Sequence, residues 1–209
     1  MKRNVFLLLT VCLLLLLSLF VMEVARAVEA APPRATKGAA STATSPEVPA
    51  AIFTAEPAKD SWIDEANPSA NHGSDTELWV GISAGEEEHS LLFFDTSPLP
   101  ENITVISATL SFYSEINRQF PTAVAALSIR PEAILTNWEE NSVTWNNRPA
   151  SVPLGDPAAI YQFGALEFDV TNIAQAWVDG TVVNEGIKLV TFGGDDGSGF
   201  FFSRESSSG

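Results

Sequence analysis

The feature of this chain that most constrains its fold is a series of nine short β-type runs, separated by Gly, Pro, Asn and Asp. The runs occupy residues 61–64, 77–82, 90–95, 105–113, 123–129, 142–145, 166–170, 186–192 and 199–203. In the clearest of them, the apolar residues Ile106, Ala108, Leu110 and Phe112 alternate with other residues and are predicted to share one face. Short strands between turn-forming residues are typical of an antiparallel β-sandwich or barrel.

Helical periodicity is confined to one segment. Apolar residues recur at helical spacing up to Trp177, and Gly180 ends the run. Asp169 or Thr171 is suited to cap its start. The sequence therefore predicts one short helix near 171–179.

The first 27 residues have the parts of a secretory signal peptide. Lys2 and Arg3 precede an apolar run over 5–22, and residues 25–27 (ARA) supply an A-x-A cleavage site. We expect cleavage after Ala27 and therefore a secreted or cell-surface protein. The apolar run approaches the ~18 residues of a membrane span, so an uncleaved N-terminal anchor is the alternative.

Residues 28–56 are rich in Ala, Pro, Ser and Thr and hold few large apolar side chains. Such a segment buries too little apolar surface to offset its chain entropy. We interpret it as a flexible linker. The predicted folded domain is then 57–209.

Cysteine content and charge restrict the partners of this domain. Cys12 is the only cysteine and lies in the predicted signal peptide, so the processed chain has neither a disulfide nor a thiolate metal site. Of 11 basic and 26 acidic residues, three and one lie in residues 1–27, which leaves 8 against 25 and a net charge of −17. Such a surface repels nucleic acid and anionic lipid. We expect no nucleic-acid partner, and membrane contact only through an uncleaved N-terminal segment.

Eight short motif segments follow one another in order between residues 59 and 205. They include 60–63, 71–73, 78–81, 90–95, 106–113, 138–149 (WEENSVTWNNRP), 168–171 with Trp177 and Gly180, and 184–187 with 202–205. In this order they resemble the DNRLRE domain, also described as disaggregatase-related and as carbohydrate-binding module family 96. The resemblance implies a single antiparallel β-sandwich of jelly-roll type, outside the cell, that binds carbohydrate or organises cell-surface protein.

Two departures from the family pattern are relevant. The family has Arg before its Phe-Asp pair, where this chain has Phe93, so an interaction of that Arg is expected to be missing. The family also follows its Ser-Arg-Glu with a strand of the Pro-x-Leu-x-Val type, whereas this chain reaches Gly209 without one. We therefore expect that the sequence is a truncated fragment or that the last strand has been lost. A missing strand would leave an unpaired edge or an exposed core row.

The sequence does not predict an enzyme. His72 and His89 are not accompanied by a nucleophile motif, and no H-E-x-x-H, G-x-S-x-G or P-loop pattern is present. Adjacent acidic residues such as Glu139 and Glu140 are expected by chance in a chain with 26 Asp and Glu residues. We predict a non-catalytic module.

Oxygen donors in the loops raise the question of a structural calcium ion. Calcium takes six or more oxygen ligands, and no EF-hand spacing is present. Asp64, Asp75 and Asp195 lie in Gly-containing loops and are the predicted ligands. A solvated loop is the alternative, and no other cofactor is expected.

The aromatic residues carry the prediction of a binding site, because flat rings stack on the apolar C–H faces of sugars. Trp79 lies between Leu78 and Val80, so it faces outward if those two face the core. We predict Trp62, Trp79 and Tyr113 as carbohydrate-binding residues, with ordinary cross-strand packing as the alternative.

The other motif residues are expected to be structural. Core packing is favoured for the three motif tryptophans, and an ion pair or a bond to backbone near a sheet end is expected for Arg204 with Glu205. The predicted structural set is Trp138, Trp145, Asp169, Thr171, Trp177, Arg204 and Glu205.

Three functions remain open at this point. The first is a non-catalytic extracellular module that binds a neutral or weakly charged polysaccharide or cell-surface glycan through exposed aromatics and loop polar groups. The second is a structural or adhesive spacer module of a cell-surface protein without a sugar site. The third is the N-terminal fragment of a larger secreted polysaccharide-active enzyme.

Overall fold

The computed structural model describes residues 21–27, 51–100, 103–114, 127–160, 164–193 and 197–206. The strands of these segments are β1 (Val21–Ala27), β2 (Ala51–Ala55), β3 (Lys59–Asp64), β4 (Glu77–Ser83), β5 (Glu86–Phe93), β6 (Thr104–Ser114), β7 (Leu127–Ile134), β8 (Ser151–Pro153), β9 (Ala158–Ile160), β10 (Gly164–Asp169), β11 (Ile187–Thr191) and β12 (Gly197–Phe202). A 3-10 helix (Trp145–Asn147) and one α-helix, α1 (Thr171–Val178), accompany them. Within the described residues, the predicted all-β fold with one short helix is confirmed.

The strands form two antiparallel sheets. The smaller has the order β10–β6–β1–β2, and the larger has the order β12–β4–β5–β11–β7–β8, with β3 also paired to β5 and β9 to β7. Side chains from both sheets meet in one core. Phe112 of β6, for example, lies 5.8 Å from Phe168 of β10 and 4.5 Å from Phe201 of β12 between ring centroids. The molecule is therefore an antiparallel sandwich.

A second apolar cluster covers the outer face of the larger sheet. Neighbouring residues of a strand point to opposite faces, so Leu92 of β5 joins the main core while Leu91 faces away from it. The loop after β7 folds back over that outer face. The cluster consists of Ile63, Leu91, Ile134, Trp138, Val143 and Trp145.

Two predicted strands differ from the structure because of local geometry. Residues 142–145 form a turn that leads into the 3-10 helix, since the Asn147 side chain accepts from Thr144 N at 2.6 Å and donates to Ser142 O at 3.0 Å. In β6 the pairing register with β1 shifts between Ala25 and Arg26. As a result Ile106 is 55% exposed, and Val105 is buried in its place.

Other boundaries also differ from the prediction. The strand predicted at 123–129 is observed as β7, and residues 123–126 lie outside the described part of the chain. The sequence did not predict β2, β8 or β9, and β2 lies within the predicted linker. β1 lies within the predicted signal peptide. Among the described residues, no helix has the length and apolar character needed to cross a membrane.

Candidate functional site

Four aromatic side chains, here called the aromatic row, lie across three strands of the larger sheet: Trp62 of β3, Trp79 of β4, and Phe200 and Phe202 of β12. Successive ring centroids are 6.4, 5.2 and 5.8 Å apart along the row. Trp79 and Phe200 are direct partners in the register of β4 and β12. All four side chains are half-buried, so the row forms a continuous, partly accessible apolar surface.

Strand alternation explains the position of most of the row. Leu78 and Val80 flank Trp79 and are fully buried in the main core, so Trp79 faces the other way, as the sequence predicts. Phe201 is also fully buried, which turns its neighbours Phe200 and Phe202 outward. The sequence reasoning missed Phe200 and Phe202, although the alternation within residues 199–203 carried the signal.

Trp62 is held by two polar neighbours from the turn that follows β3. Its indole Nε1 donates to Asp75 Oδ2 at 3.0 Å, and His72 Nδ1 lies 2.9 Å from the same oxygen. The His72 ring stacks on Trp62 with centroids 3.8 Å apart and planes 24° apart. One face of Trp62 is therefore covered by His72, and Asp75 fixes the orientation of both rings.

The rings of the row are not coplanar. The planes of Trp62 and Trp79 differ by 49°, and those of Trp79 and Phe200 differ by 37°. The row therefore turns along its length, and a flat surface cannot touch all of its rings at once.

Tyr113 does not belong to the row. It lies on β6 of the smaller sheet, next to the buried Phe112, and so faces away from the core on the other side of the sandwich. Tyr113 is half-buried. The structure thus brings together Trp62 and Trp79 but places the third predicted residue elsewhere.

A carboxylate cluster surrounds Arg204 at the end of the described chain. Glu140 accepts from Arg204 Nε at 3.2 Å and from Nη2 at 2.6 Å, and Glu205 Oε1 lies 3.0 Å from Nε. The buried Asp60 accepts from Arg204 N at 3.0 Å, and Asp60 N donates to Glu140 Oε1 at 2.9 Å. The ion pair predicted for Arg204 and Glu205 is present, whereas the central role of Glu140 was not foreseen.

Burial determines the protonation of this cluster. It raises the pKa of Asp60 to about 7, and the nearby Glu205 carboxylate acts in the same direction, while the bond from the Arg204 backbone opposes it. Asp60, Glu140 and Glu205 each have an oxygen within 4.8 Å of the others, which is close enough to hold a metal ion. The guanidinium of Arg204 already lies against two of these carboxylates, so the donor set resembles a neutralised ion-pair network more than a cation site.

Of the three predicted calcium ligands, the structure describes Asp64 and Asp75, and each accepts hydrogen bonds from its own surroundings. Asp64 is buried, and its Oδ1 accepts from Ala66 N at 2.8 Å, which makes it a turn-stabilising residue. Asp75 binds Trp62 and His72, as described above. Asp195 lies outside the described residues. The carboxylate cluster found among the described residues includes none of the three.

The motif tryptophans pack as predicted. Trp138 and Trp145 are 4% and 9% exposed and belong to the outer cluster. Lys59 Nζ donates to Trp138 O at 2.6 Å and lies 4.6 Å from the Trp138 ring. Arg148 lies 4.4 Å over the Trp145 ring and donates to its carbonyl, and His89 lies 5.0 Å from that ring. The loop over 138–149 is therefore a packed structural corner.

A network of polar side chains around the buried Glu132 links three strands on the same outer face. Glu132 accepts from Arg130 at 2.7 Å and from Ser151 at 2.6 Å, and lies 3.5 Å from Lys188 Nζ. Burial by itself raises the pKa of Glu132, but these bonds outweigh it and hold the pKa below its usual range. Burial, aided by the Lys188 charge, lowers the pKa of His89 to about 3. His89 is thus a neutral packed side chain.

The segment around α1 is also structural. Thr171 N donates to Asp169 Oδ1 at 2.9 Å at the start of the helix. Thr171 Oγ1 in turn accepts from Ala108 N of β6 at 2.9 Å. Trp177 is 7% exposed and packs in the main core. These contacts are structural, but the predicted cap at Asp169 or Thr171 is wrong, because Val170 is the N-cap of α1 and no side-chain cap bond forms there.

Comparison with known proteins identifies the sandwich. The chain is 26% identical over 147 residues to the tRNA nuclease WapA of Bacillus subtilis strain 168, and 25% identical over 147 residues to the tRNA3(Ser)-specific nuclease WapA of Bacillus spizizenii. Each match covers 64% of this chain but 6% of the relative, so the chain spans a small part of those proteins. The model of carbohydrate-binding module family 96 matches residues 51–208, from β2 through β12. The chain therefore belongs to carbohydrate-binding module family 96.

Proposed function

We propose that the protein is a non-catalytic extracellular carbohydrate-binding module whose ligand lies along the aromatic row. Membership of the family supports carbohydrate binding in general. The observation that carries the location is the continuous contact from Trp62 through Trp79 to Phe200 and Phe202, all of which are half-buried. Sugar rings stack on such surfaces through their apolar faces.

The tilt of the rings favours one form of ligand. Angles of 49° and 37° between neighbouring planes prevent stacking on a flat crystalline surface, whereas a single flexible chain can follow a row that turns. We therefore expect a soluble polysaccharide chain to bind better than a crystalline one.

Charge favours a neutral or weakly charged ligand. The processed chain carries a net charge of −17, and its described basic side chains are engaged inside the protein. They are Lys59, Arg130, Arg148, Lys188 and Arg204, each bonded to a backbone carbonyl or a carboxylate. An acidic polymer would find few cations to pair with on this surface.

Binding can be tested with the secreted protein on a glycan array, followed by titration with each hit. Trp79→Ala is expected to weaken binding about fivefold, since stacked aromatic contacts contribute on the order of 1 kcal/mol. Phe192→Ala is the matched control, because Phe192 is 51% exposed and lies beside Arg130 rather than in the row. Melting curves of both variants establish that they are folded at the assay temperature.

The outcomes separate the candidates. Absence of binding to every neutral polysaccharide rejects the proposal. Equal loss in Trp79→Ala and Phe192→Ala rejects the row as the site, and loss in Tyr113→Ala alone moves the site to the smaller sheet.

A spacer or adhesive module without a sugar site is the second candidate. The observation that favours it is the stacking of His72 on Trp62, which removes one ring face from the row. The same array decides between the two, because a spacer retains no ligand. A role as one module of a longer secreted protein is compatible with either, as the WapA relatives are much longer than this chain.

A further inference from the structure

The aromatic row has a carboxylate on its own face. Glu77 and Trp79 of β4 flank the fully buried Leu78, so both side chains point away from the main core. Glu77 is also the direct register partner of Phe202, and such partners have Cβ atoms about 4.5–5.5 Å apart. The half-buried Glu77 carboxylate has no hydrogen-bond or ion-pair partner among the described residues. A free negative charge therefore lies beside two rings of the row.

A second carboxylate lies at the Trp62 end of the row. Asp75 Oδ2 accepts from Trp62 Nε1 at 3.0 Å and lies 2.9 Å from His72 Nδ1. The Asp75 backbone is fixed as well, because its carbonyl accepts from Ser203 Oγ at 2.6 Å, directly after Phe202. The side chain is 47% exposed, and its Oδ1 has no partner in the part of the chain that the structure describes. Both carboxylates of the row thus have an oxygen that can accept from a ligand.

The charge of these two carboxylates is not neutralised by lysine or arginine within the described residues. Arg204, which follows the row along the chain, already lies 2.6 Å from Glu140 and 3.0 Å from Glu205. His72 beside Asp75 carries a charge only when it is protonated. The whole chain has a net charge of −15, and such a field attracts cations. The row therefore combines aromatic rings with uncompensated negative charge.

We propose that the ligand of the aromatic row is a polysaccharide whose sugars carry free amino groups. This inference rests on the proposed function and narrows its ligand class. A protonated amine is attracted to the face of an aromatic ring, most strongly to Trp, and forms a charge-assisted hydrogen bond with a carboxylate. An ammonium group on a sugar stacked on Trp79 can pair with Glu77, and one near Trp62 can pair with Asp75. A neutral sugar gains the stacking but not the ion pair.

The test compares three oligosaccharides of equal length, derived from cellulose, chitin and chitosan. They share one backbone and differ at the second carbon of each sugar, which carries a hydroxyl, an acetamide or an ammonium group. Calorimetric titration at about pH 6, where exposed Asp and Glu are ionised, gives each affinity. We expect the chitosan oligosaccharide to bind about tenfold more tightly than the two neutral ones. The preference should fade in about 1 M salt, where the Debye length is about 3 Å.

Glu77→Gln separates the charge of the row from the charge of the whole protein. It is expected to reduce the preference to about threefold, because one of two carboxylates is removed. Glu167→Gln is the matched control, since Glu167 is exposed on β10 of the smaller sheet and its substitution changes the net charge equally. Melting curves establish that both variants are folded. Equal loss of preference in the two variants would overturn the inference, because the overall charge rather than the row would then select the ligand.

The remaining outcomes distinguish this inference from the proposed function. Equal affinities for the three oligosaccharides, lost together in Trp79→Ala, would overturn the inference and leave the proposed function standing. Failure of the chitosan oligosaccharide to bind also overturns it, whereas binding of another neutral polysaccharide on the array would retain the proposed function. Tighter binding of an oligolysine, lost in Trp79→Ala, would assign the row to basic polypeptides and likewise contradict an amino-sugar ligand.

Discussion

Lys59 and Phe93 are direct partners across β3 and β5, and this pair bears on a position where the chain departs from its family pattern. The Lys59 ammonium lies 5.0 Å from the Phe93 ring and 4.6 Å from the Trp138 ring, and it donates to Trp138 O. The family pattern has an arginine at position 93. In this chain Lys59, on the opposite strand, supplies a cation next to that position. Cation–π contacts of this kind contribute about 0.5–2 kcal/mol.

Trp145→Ala is expected to lower the free energy of unfolding by about 3–5 kcal/mol, because the indole is 9% exposed and its removal leaves a cavity beneath the corner loop. His89 and Arg148 would lose the ring that they pack on. Urea denaturation measures the change.

The stability of the Trp79→Ala variant is the comparison for this prediction, because Trp79 is half-buried. It should cost clearly less stability than Trp145→Ala, since Trp79 is not in the buried core. Similar stabilities for wild type and Trp145→Ala would contradict the structural assignment of the corner.

A single turn residue explains how two loops meet at this corner. A Cβ atom added to Gly73 would lie 2.2 Å from the Glu140 carbonyl oxygen, so only glycine permits the approach. Asn71 Nδ2 donates to the carbonyls of Glu140 and Val143, each at 2.8 Å. The motif residues 71–73 and the motif 138–149 therefore specify one contact between distant parts of the chain.

At the scale of elements, side chains of α1 accept hydrogen bonds from backbone N–H groups of β6, as a neighbouring strand would. Thr171→Val keeps the shape of the side chain but removes the oxygen that accepts from Ala108 N. Ala108 is 1% exposed, so its N–H would be left buried and unpaired, at a cost of about 1–3 kcal/mol. Chemical denaturation of Thr171→Val against Thr171→Ser tests this, because serine keeps the hydroxyl. Equal losses in the two variants would show that the hydrogen bond is not the cause.

Much of the element pattern could be predicted from the sequence, because alternation and turn residues are local signals. The outward side of Trp79 follows from Leu78 and Val80 alone. The exposure of Ile106 could not be predicted, since it depends on a register shift against another strand. The stacking of His72 on Trp62 likewise depends on tertiary structure, as does the pairing of Trp79 with Phe200.

At the scale of the whole molecule, Asp60 and His89 are buried groups whose pKa values are shifted in opposite directions, and both shifts make stability depend on pH. The pKa of Asp60 is raised by burial from 3.8 to about 7, so between these values the native state binds more protons than the unfolded chain and stability falls as pH rises. The pKa of His89 is lowered by burial from 6.5 to about 3, so between these values stability rises with pH. Between about pH 4 and pH 6.5 the two gradients oppose each other.

Removing either Asp60 or His89 should therefore reveal the pH dependence of stability that is due to the other. Asp60→Asn is expected to make the melting temperature rise more steeply with pH between 4 and 6.5, and His89→Gln is expected to make it fall relative to wild type. Each gradient is at most about 1.4 kcal/mol per pH unit, which corresponds to about 3–6 °C per unit for a domain of this size. Thermal melts at half-unit pH intervals give the slopes, and slopes do not depend on any uniform loss of stability in the variants.

The neighbours of each group set the conditions of this test. Asp60 faces Arg204 and Glu205, whereas His89 faces Lys188, Glu132, Arg148 and Glu87, and none of these is changed by the two substitutions. Glu88, whose pKa burial also raises to about 7, acts in the same direction as Asp60 and remains in both variants. The difference between the slopes of the two variants therefore isolates Asp60 and His89. Parallel plots of melting temperature against pH for wild type and both variants would mean that neither Asp60 nor His89 is buried as described. The carboxylate cluster around Arg204 and the polar side chains around Glu132 and His89 would then lie in water.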